Sequence, residues 1–139
     1  MLLTPKRRKH RKQFRPHLKG VATRGNTVAF GEFGMKATTS GVITNKQIEA
    51  ARKVIVRHTR KVGQIWVRLF PDTPITRRGL EMPMGSGKSD VDGYAAPIRK
   101  GKILFEITGL PREKAEEVLI SAAKKLPVKA RVVAKGEVR

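Results

Sequence analysis

The chain has 139 residues and no cysteine, and its 31 lysines and arginines against 11 acidic residues give a formal net charge of +20. Its length predicts one domain with a single modest core, and the lack of cysteine excludes disulfides, thiolate metal sites and cysteine nucleophiles. No apolar run is long enough to span a membrane and we expect no secretory signal, whereas the positive charge favours nucleic acid, whose neutralised phosphates release counterions.

The first 31 residues contain nine basic residues and no acid. Few of them are apolar and the like charges repel, so we predict that residues 1–24 form an extended arm that binds RNA phosphates. The predicted RNA-binding residues of the arm are Lys6, Arg7, Arg8, Lys9, Arg11, Lys12, Arg15, Lys19 and Arg24. The alternatives are a solvated tail without a specific role and a mitochondrial transit peptide, although Pro5 and Pro16 disfavour the amphipathic helix of the latter.

Residues 25–139 are predicted to form one globular domain that begins with a strand in residues 26–39, where large and small side chains alternate. Thr44 and Gln47 have the spacing of a capping box, which predicts a helix from Asn45 to Lys61. One face of this helix is predicted to pack inward through Ile48, Ala51, Ile55 and Val62. The opposite face begins with Lys46 and continues with four residues that we predict to bind rRNA: Lys53, Arg57, Arg60 and Lys61.

The rest of the domain alternates between strand and helix patterns. Residues 64–70 and 102–107 have the alternation of strands, a helix begins at Pro111 and stops at Pro127, and residues 128–134 form a closing strand. This order predicts an α+β fold in which two helices pack on one face of a mixed sheet.

Between the two middle strands lies a long segment, residues 71–101, rich in proline, glycine and charge, which predicts a functional loop. Its centre ends in Gly-Lys-Ser like a phosphate-binding P-loop, but Met82 stands where that motif has glycine, and the motif's flanking strand and helix are missing. Gly85 and Gly87 could still turn backbone amides toward an anion, and Lys88 adds charge, which suits RNA phosphate without catalysis.

Other side chains give no pattern typical of an enzyme. The three histidines lack the spacing of metal ligands and have no carboxylate at a useful interval. Asp90 and Asp92 are interpreted as solvated turn residues in preference to an acid pair, and Trp66 and Phe70 as core aromatics in preference to a base-stacking platform. We therefore predict no catalytic residue, no metal site and no cofactor.

Five sequence blocks follow one another along nearly the whole chain. They are Met-Leu-x-x-Pro-Lys-Arg with Arg11-Lys12-Gln13, the run Gln47-Ile-Glu-Ala-Ala-Arg52, the run Ile65-Trp-Val-Arg-Leu-Phe-Pro-Asp-x-Pro-Ile-Thr76, the loop Met84-Gly-x-Gly-Lys88, and Lys125-Leu-Pro-Val-Lys129. Together they resemble the bacterial and organellar ribosomal protein L sixteen family. The resemblance implies a structural constituent of the large ribosomal subunit in the cytoplasm, or in an organellar ribosome, and not an enzyme.

The same resemblance implies that the protein binds 23S rRNA beside the aminoacyl-tRNA (A) site, near the peptidyl transferase centre, and acts in late subunit assembly and in translation. The implied partners are 23S rRNA and A-site tRNA, with 5S rRNA and neighbouring large-subunit proteins as further candidates, no membrane, and one copy of the chain per ribosome. The loop residues expected to face tRNA or rRNA are Arg77, Arg78, Met84, Gly85, Gly87 and Lys88.

Two departures from the family pattern fall in this loop. Members commonly have an arginine, hydroxylated in some bacteria, where this chain has Pro83, so this modification cannot occur here. The family run after the loop lysine is kept only at Gly93 and Tyr94. A free-standing nucleic-acid-binding regulator and a nucleotide-dependent enzyme are the alternative functions.

Overall fold

The computed structural model describes residues 2–137. The first residue of the predicted arm, Met1, and the last two residues of the predicted domain, Val138 and Arg139, lie outside the described residues. The helices and strands after the arm are β1 (Phe33–Ala37), β2 (Gly41–Thr44), α1 (Asn45–Thr59), β3 (Gln64–Val67), β4 (Thr73–Thr76), β5 (Val91–Ile98), β6 (Ile103–Thr108), α2 (Arg112–Ala123) and β7 (Ala130–Ala134).

The predicted α+β class is confirmed, but the strands form two antiparallel sheets where we predicted one mixed sheet. The order of the first sheet is β3-β6-β1-β7 and that of the second is β2-β5-β4. Two strands of the second sheet, β4 and β5, lie inside the segment predicted as a loop. They escaped prediction because β4 contains Pro74, and β5 contains Gly93, Pro97 and several small residues, which do not give the alternation typical of a strand.

Helix α1 begins as predicted and ends earlier. The hydroxyl of Thr44 accepts from the amide of Gln47 at 3.3 Å and the Gln47 side chain accepts from the amide of Thr44 at 2.9 Å, which confirms the capping box. At the other end, the amide of Gly63 donates to the carbonyl of Thr59. Val62 therefore lies beyond the helix and is 59% exposed, so its predicted place in the buried stripe is wrong.

The core lies between the helices and the sheets. Helix α1 packs against β3 and the second sheet, α2 packs against β1 and β7, and the two helices contact each other. The stripe residues Ile48, Ala51 and Ile55 are buried, together with Val118 and Leu119 of α2. The sheets contribute further fully buried residues, among them Met35, Ile43, Ile98, Phe105 and Ile107.

The first sheet contains a buried carboxylate on β6. Glu106 is fully buried and accepts hydrogen bonds from the amides of Ala29, Phe30 and Gly31 at 3.0, 2.6 and 2.8 Å, and from the guanidinium of Arg68. Burial acts to raise the pKa of Glu106, but these donors outweigh it and hold the pKa below its ordinary value. The carboxylate thus fixes the segment before β1 onto the sheet.

The two aromatic residues predicted for the core have different surroundings. Trp66 is half-buried and stacks on Phe30 with ring centroids 6.3 Å apart, and the Arg68 guanidinium lies over Phe30. Phe70 follows β3 and is 47% exposed, so its assignment to the core is wrong. Alternation alone did not show that β3 ends at Val67.

Candidate nucleic-acid interface

The basic arm lies along the domain. Residues 2–20 form neither helix nor strand. Near the beginning, the carbonyl of Leu3 accepts from the side chain of Asn45 at 3.2 Å, and near the end the amide of Ala22 donates to the carbonyl of Lys100 at 2.9 Å. The arm therefore connects the start of α1 to the turn between β5 and β6, and its charges are spread over the surface between them.

Most arm cations are exposed, namely Lys6, Arg7, Lys9, Arg11, Arg15, Lys19 and Arg24. Arg8 and Lys12 are half-buried, and the Nε of Arg8 has no hydrogen-bond partner within the described chain. Across residues 2–137, Arg11 is the arm cation that pairs with an acid, at 3.6 Å from Asp90. The arm thus carries far more positive charge than the domain neutralises.

The outer face of α1 is a second surface with exposed positive charge. Its exposed cations are Lys46, Lys53 and Arg57. Arg60 and Lys61, which were predicted to lie on the helix, are exposed in the turn that follows Thr59. No acid pairs with any of them in the described part of the chain. Arg52 differs, because it forms two hydrogen bonds to Glu49, and these are the main reason that the pKa of Glu49 is lowered to about 2.

The arm and the long loop hold each other through a pair of lysines, an arrangement that the sequence did not predict. Lys12 donates to the carbonyl of Lys88 at 2.8 Å, and Lys88 donates to the carbonyl of Gln13 at 2.5 Å. The Lys88 ammonium also lies over the ring of Phe14, 5.5 Å from its centroid. These interactions join residues about 75 positions apart, which no local pattern reveals.

A cavity of about 480 Å³ separates the arm from the second sheet. Arg15 of the arm, Arg77 after β4 and Lys88 of the loop bring three cations to its lining. The hydroxyl-bearing residues Thr44, Thr73 and Thr76 and the carboxylate of Asp92 also line it. Cationic side chains and hydroxyls donate hydrogen bonds to phosphate oxygens, so the cavity suits a backbone phosphate of RNA.

The loop tip has an unusual backbone. Gly85, Ser86 and Gly87 have φ angles of 125°, 60° and 85°, and the glycines supply the freedom that two of these positions need. The Arg78 guanidinium donates to the carbonyl of Pro83, to that of Gly85 at 2.9 Å and to that of Gly87 at 2.7 Å. These carbonyls converge on a cation, whereas a P-loop turns its amides onto a phosphate.

The described residues offer neither a metal site nor a membrane span. Within residues 2–137 no group of three or more histidines and acids is placed to hold a metal ion. The three histidines are exposed, two of them in the arm. In the same part of the chain, neither helix combines the length and apolar character needed to cross a bilayer.

Comparison with known proteins gives one consistent family. Residues 5–133 match the family model described as Ribosomal protein L16p/L10e. A large ribosomal subunit protein uL16 of Halorhodospira halophila is 52% identical over 132 residues, which cover 95% of this chain and 96% of the relative. The uL16 proteins of Paracidovorax citrulli and Pediococcus pentosaceus are 50% and 45% identical and cover 96% and 99% of this chain, and 97% and 95% of their own lengths.

Proposed function

The chain belongs to the ribosomal protein L16p/L10e family, which makes it a structural protein of the large ribosomal subunit and not an enzyme, and we propose that it binds 23S rRNA there, beside the A site. In this proposal it lies near the peptidyl transferase centre and acts in late subunit assembly and in translation. Its partners are 23S rRNA and A-site tRNA, with 5S rRNA and neighbouring large-subunit proteins at the edges.

The observation that carries the rRNA proposal is the exposed positive charge of the arm and of the outer face of α1. Exposed cations on these two elements have one acidic partner, Asp90, among the described residues. Like charges on a helix face repel each other and weaken the fold unless a polyanion neutralises them. Phosphates of rRNA supply that charge, and they release counterions when they bind.

The tRNA part of the proposal is supported by the exposure of the loop and by its attachment. Leu80 and Met84 are 99% and 93% exposed, so the loop tip buries almost nothing in this domain. The lysine pair fixes its base to the arm, which couples the position of the loop to the binding of the arm. A tip that extends from a phosphate-bound base suits an interaction with a second RNA such as tRNA.

The test uses large-subunit particles from which the protein has been removed. They receive the full-length chain, a variant lacking residues 2–24, or a variant whose residues 82–87 are replaced by a Gly-Ser linker. The replaced segment stops before Lys88, so that the bonds to the arm and strand β5 remain. Cosedimentation at several salt concentrations measures binding, and filter binding measures A-site tRNA.

We expect the arm deletion to flatten the salt dependence of binding, by roughly 0.7 to 0.9 log units for each phosphate that is no longer neutralised. The linker variant should join the particle and bind A-site tRNA more weakly. Equal salt slopes with and without the arm would contradict the rRNA assignment. Normal tRNA binding by the linker variant would contradict the assignment of the loop.

A further inference from the structure

Two adjacent arginines after β4 have different surroundings. Arg78 donates to three loop carbonyls, those of Pro83, Gly85 and Gly87, through both of its terminal nitrogens. Arg77 is exposed and lines the cavity under the arm. One guanidinium is therefore used inside the loop, while its neighbour is available to a partner.

Little else holds the tip of this loop. Residues 79–88 are all exposed, so hydrophobic packing does not fix their conformation. In this part of the described chain, one backbone-to-backbone hydrogen bond is formed, from the amide of Met82 to the carbonyl of Gly79 at 3.2 Å. Ser86 nevertheless has a φ of 60°, which residues with a side chain seldom adopt. Such a backbone persists only where its surroundings determine it.

The planar guanidinium is suited to this task. Its donors form a rigid fork that can reach several acceptors at once, whereas the ammonium of a lysine is a point charge on a flexible stem. The bonds are also charge-assisted, which makes them stronger than bonds between neutral groups. Pro83 adds to this order, because its ring fixes φ at one of the bonded positions.

The same bonds determine where the loop amides point. All peptide bonds of the described chain are trans, and in a trans peptide the N–H points opposite to the preceding carbonyl. The carbonyls of Pro83, Gly85 and Gly87 converge on Arg78, so the amides that follow them, on Met84, Ser86 and Lys88, point away from it and diverge. Diverging amides cannot enclose one phosphate, but they can donate to separate groups along an extended strand.

We propose that Arg78 is a positioning residue that shapes the loop from within, so that Met84 and the outward amides are presented to RNA in one fixed arrangement. This deepens the proposed function, and its consequence for tRNA rests on it. Arg78 acts through the loop carbonyls and binds no phosphate directly. Arg77 supplies charge to the partner instead.

The first measurement is made on the free, full-length chain by ¹⁵N relaxation, with Arg78→Lys compared against the matched control Arg77→Lys. Both variants keep the charge. In Arg78→Lys we expect the order parameters of Gly85, Ser86 and Gly87 to fall from about 0.85 to below about 0.6, because a lysine cannot bond all three carbonyls. Arg77→Lys should match the unmodified chain. Unchanged order parameters in Arg78→Lys would overturn the proposal.

The second measurement adds the same variants, and Arg77→Gln, to particles that lack the protein. Arg78→Lys should bind A-site tRNA roughly three- to tenfold more weakly, since a disordered loop must be ordered upon binding. Arg77→Gln should weaken binding through its missing charge and leave the loop ordered. A loosened loop with normal tRNA binding would support the internal role of Arg78 and contradict the tRNA assignment of the loop, so the two failures can be distinguished.

Discussion

Helices α1 and α2 lie side by side over the same core, and their exposed faces carry charge in different ways. On α2, Arg112 pairs with Glu116 at 3.0 Å and with Glu137 at 3.4 Å, and Lys114 pairs with Glu117 at 3.4 Å. The outer cations of α1 have no such partners among the residues described. Both helices bury their apolar stripe equally well, so packing does not account for the contrast.

The difference shows how to recognise a binding surface on a basic protein. A solvated helix face mixes both signs of charge, because oppositely charged residues three or four positions apart stabilise the helix slightly, as on α2. The outer face of α1 carries three cations without such pairs, and two more follow in the turn after the helix, which is the pattern that we expect of a surface that binds a polyanion. Net charge predicts a nucleic-acid partner, and the missing counter-charges on α1 are the reason that we propose its outer face as part of the interface.

The largest expected effects test whether the two buried faces are equivalent. Ile55→Asp on α1 and Leu119→Asp on α2 each place a carboxylate at a fully buried position. Each should cost more than about 4 kcal/mol and unfold the domain, since an unpaired buried charge is among the most destabilising changes. Circular dichroism against temperature measures this. A folded Leu119→Asp variant would mean that α2 contributes little to the core.

A second pair of changes compares a buried ion pair with one on the surface of α2. Glu106→Gln should cost roughly 3 to 5 kcal/mol, because it removes the charge that pairs with Arg68 and replaces one acceptor oxygen by an NH₂ group that faces donors. Glu116→Gln removes an exposed pair, and should cost no more than about 1 kcal/mol. Urea unfolding of both variants measures the difference. Equal losses of stability would mean that the surface pairs of α2 are stronger than their exposure suggests.

The buried carboxylate also makes stability depend on pH. The pKa of Glu106 is lower in the folded state than its ordinary value. Its contribution is therefore fully present above the ordinary value of about 4.3 and is lost as pH falls through the folded pKa. Glu106→Gln should remove this part of the acid dependence. The same acid slope in both proteins would contradict it.

The sequence predicted the two helices and their starts, because capping and apolar spacing are local signals, but it placed their ends at Lys61 and at Pro127, beyond the observed ends at Thr59 and Ala123. Thr44 and Gln47 identified the start of α1, and the exposed cations of its outer face were all predicted. Strands β4 and β5 were missed because their residues, which include proline and glycine, do not alternate between apolar and polar. Their backbone groups form hydrogen bonds only through pairing between segments about 20 residues apart, which a local pattern does not reveal. The lysine pair and the three-carbonyl role of Arg78 were missed because they depend on tertiary structure.

The most direct test of the central claim removes the same number of charges from each of the two helices. Lys53→Gln with Arg57→Gln removes two unpaired cations from α1, and Arg112→Gln with Lys114→Gln removes two paired cations from α2. Exposed substitutions usually change stability by only about 0.5 kcal/mol, so both variants should stay folded.

Affinity for 23S rRNA is then measured against salt concentration. We predict that the α1 variant binds more weakly, with a salt slope smaller by roughly 0.7 to 0.9 for each phosphate that is no longer neutralised, while the α2 variant keeps the original slope. Equal slopes for the two variants, or a weakening confined to α2, would contradict the account.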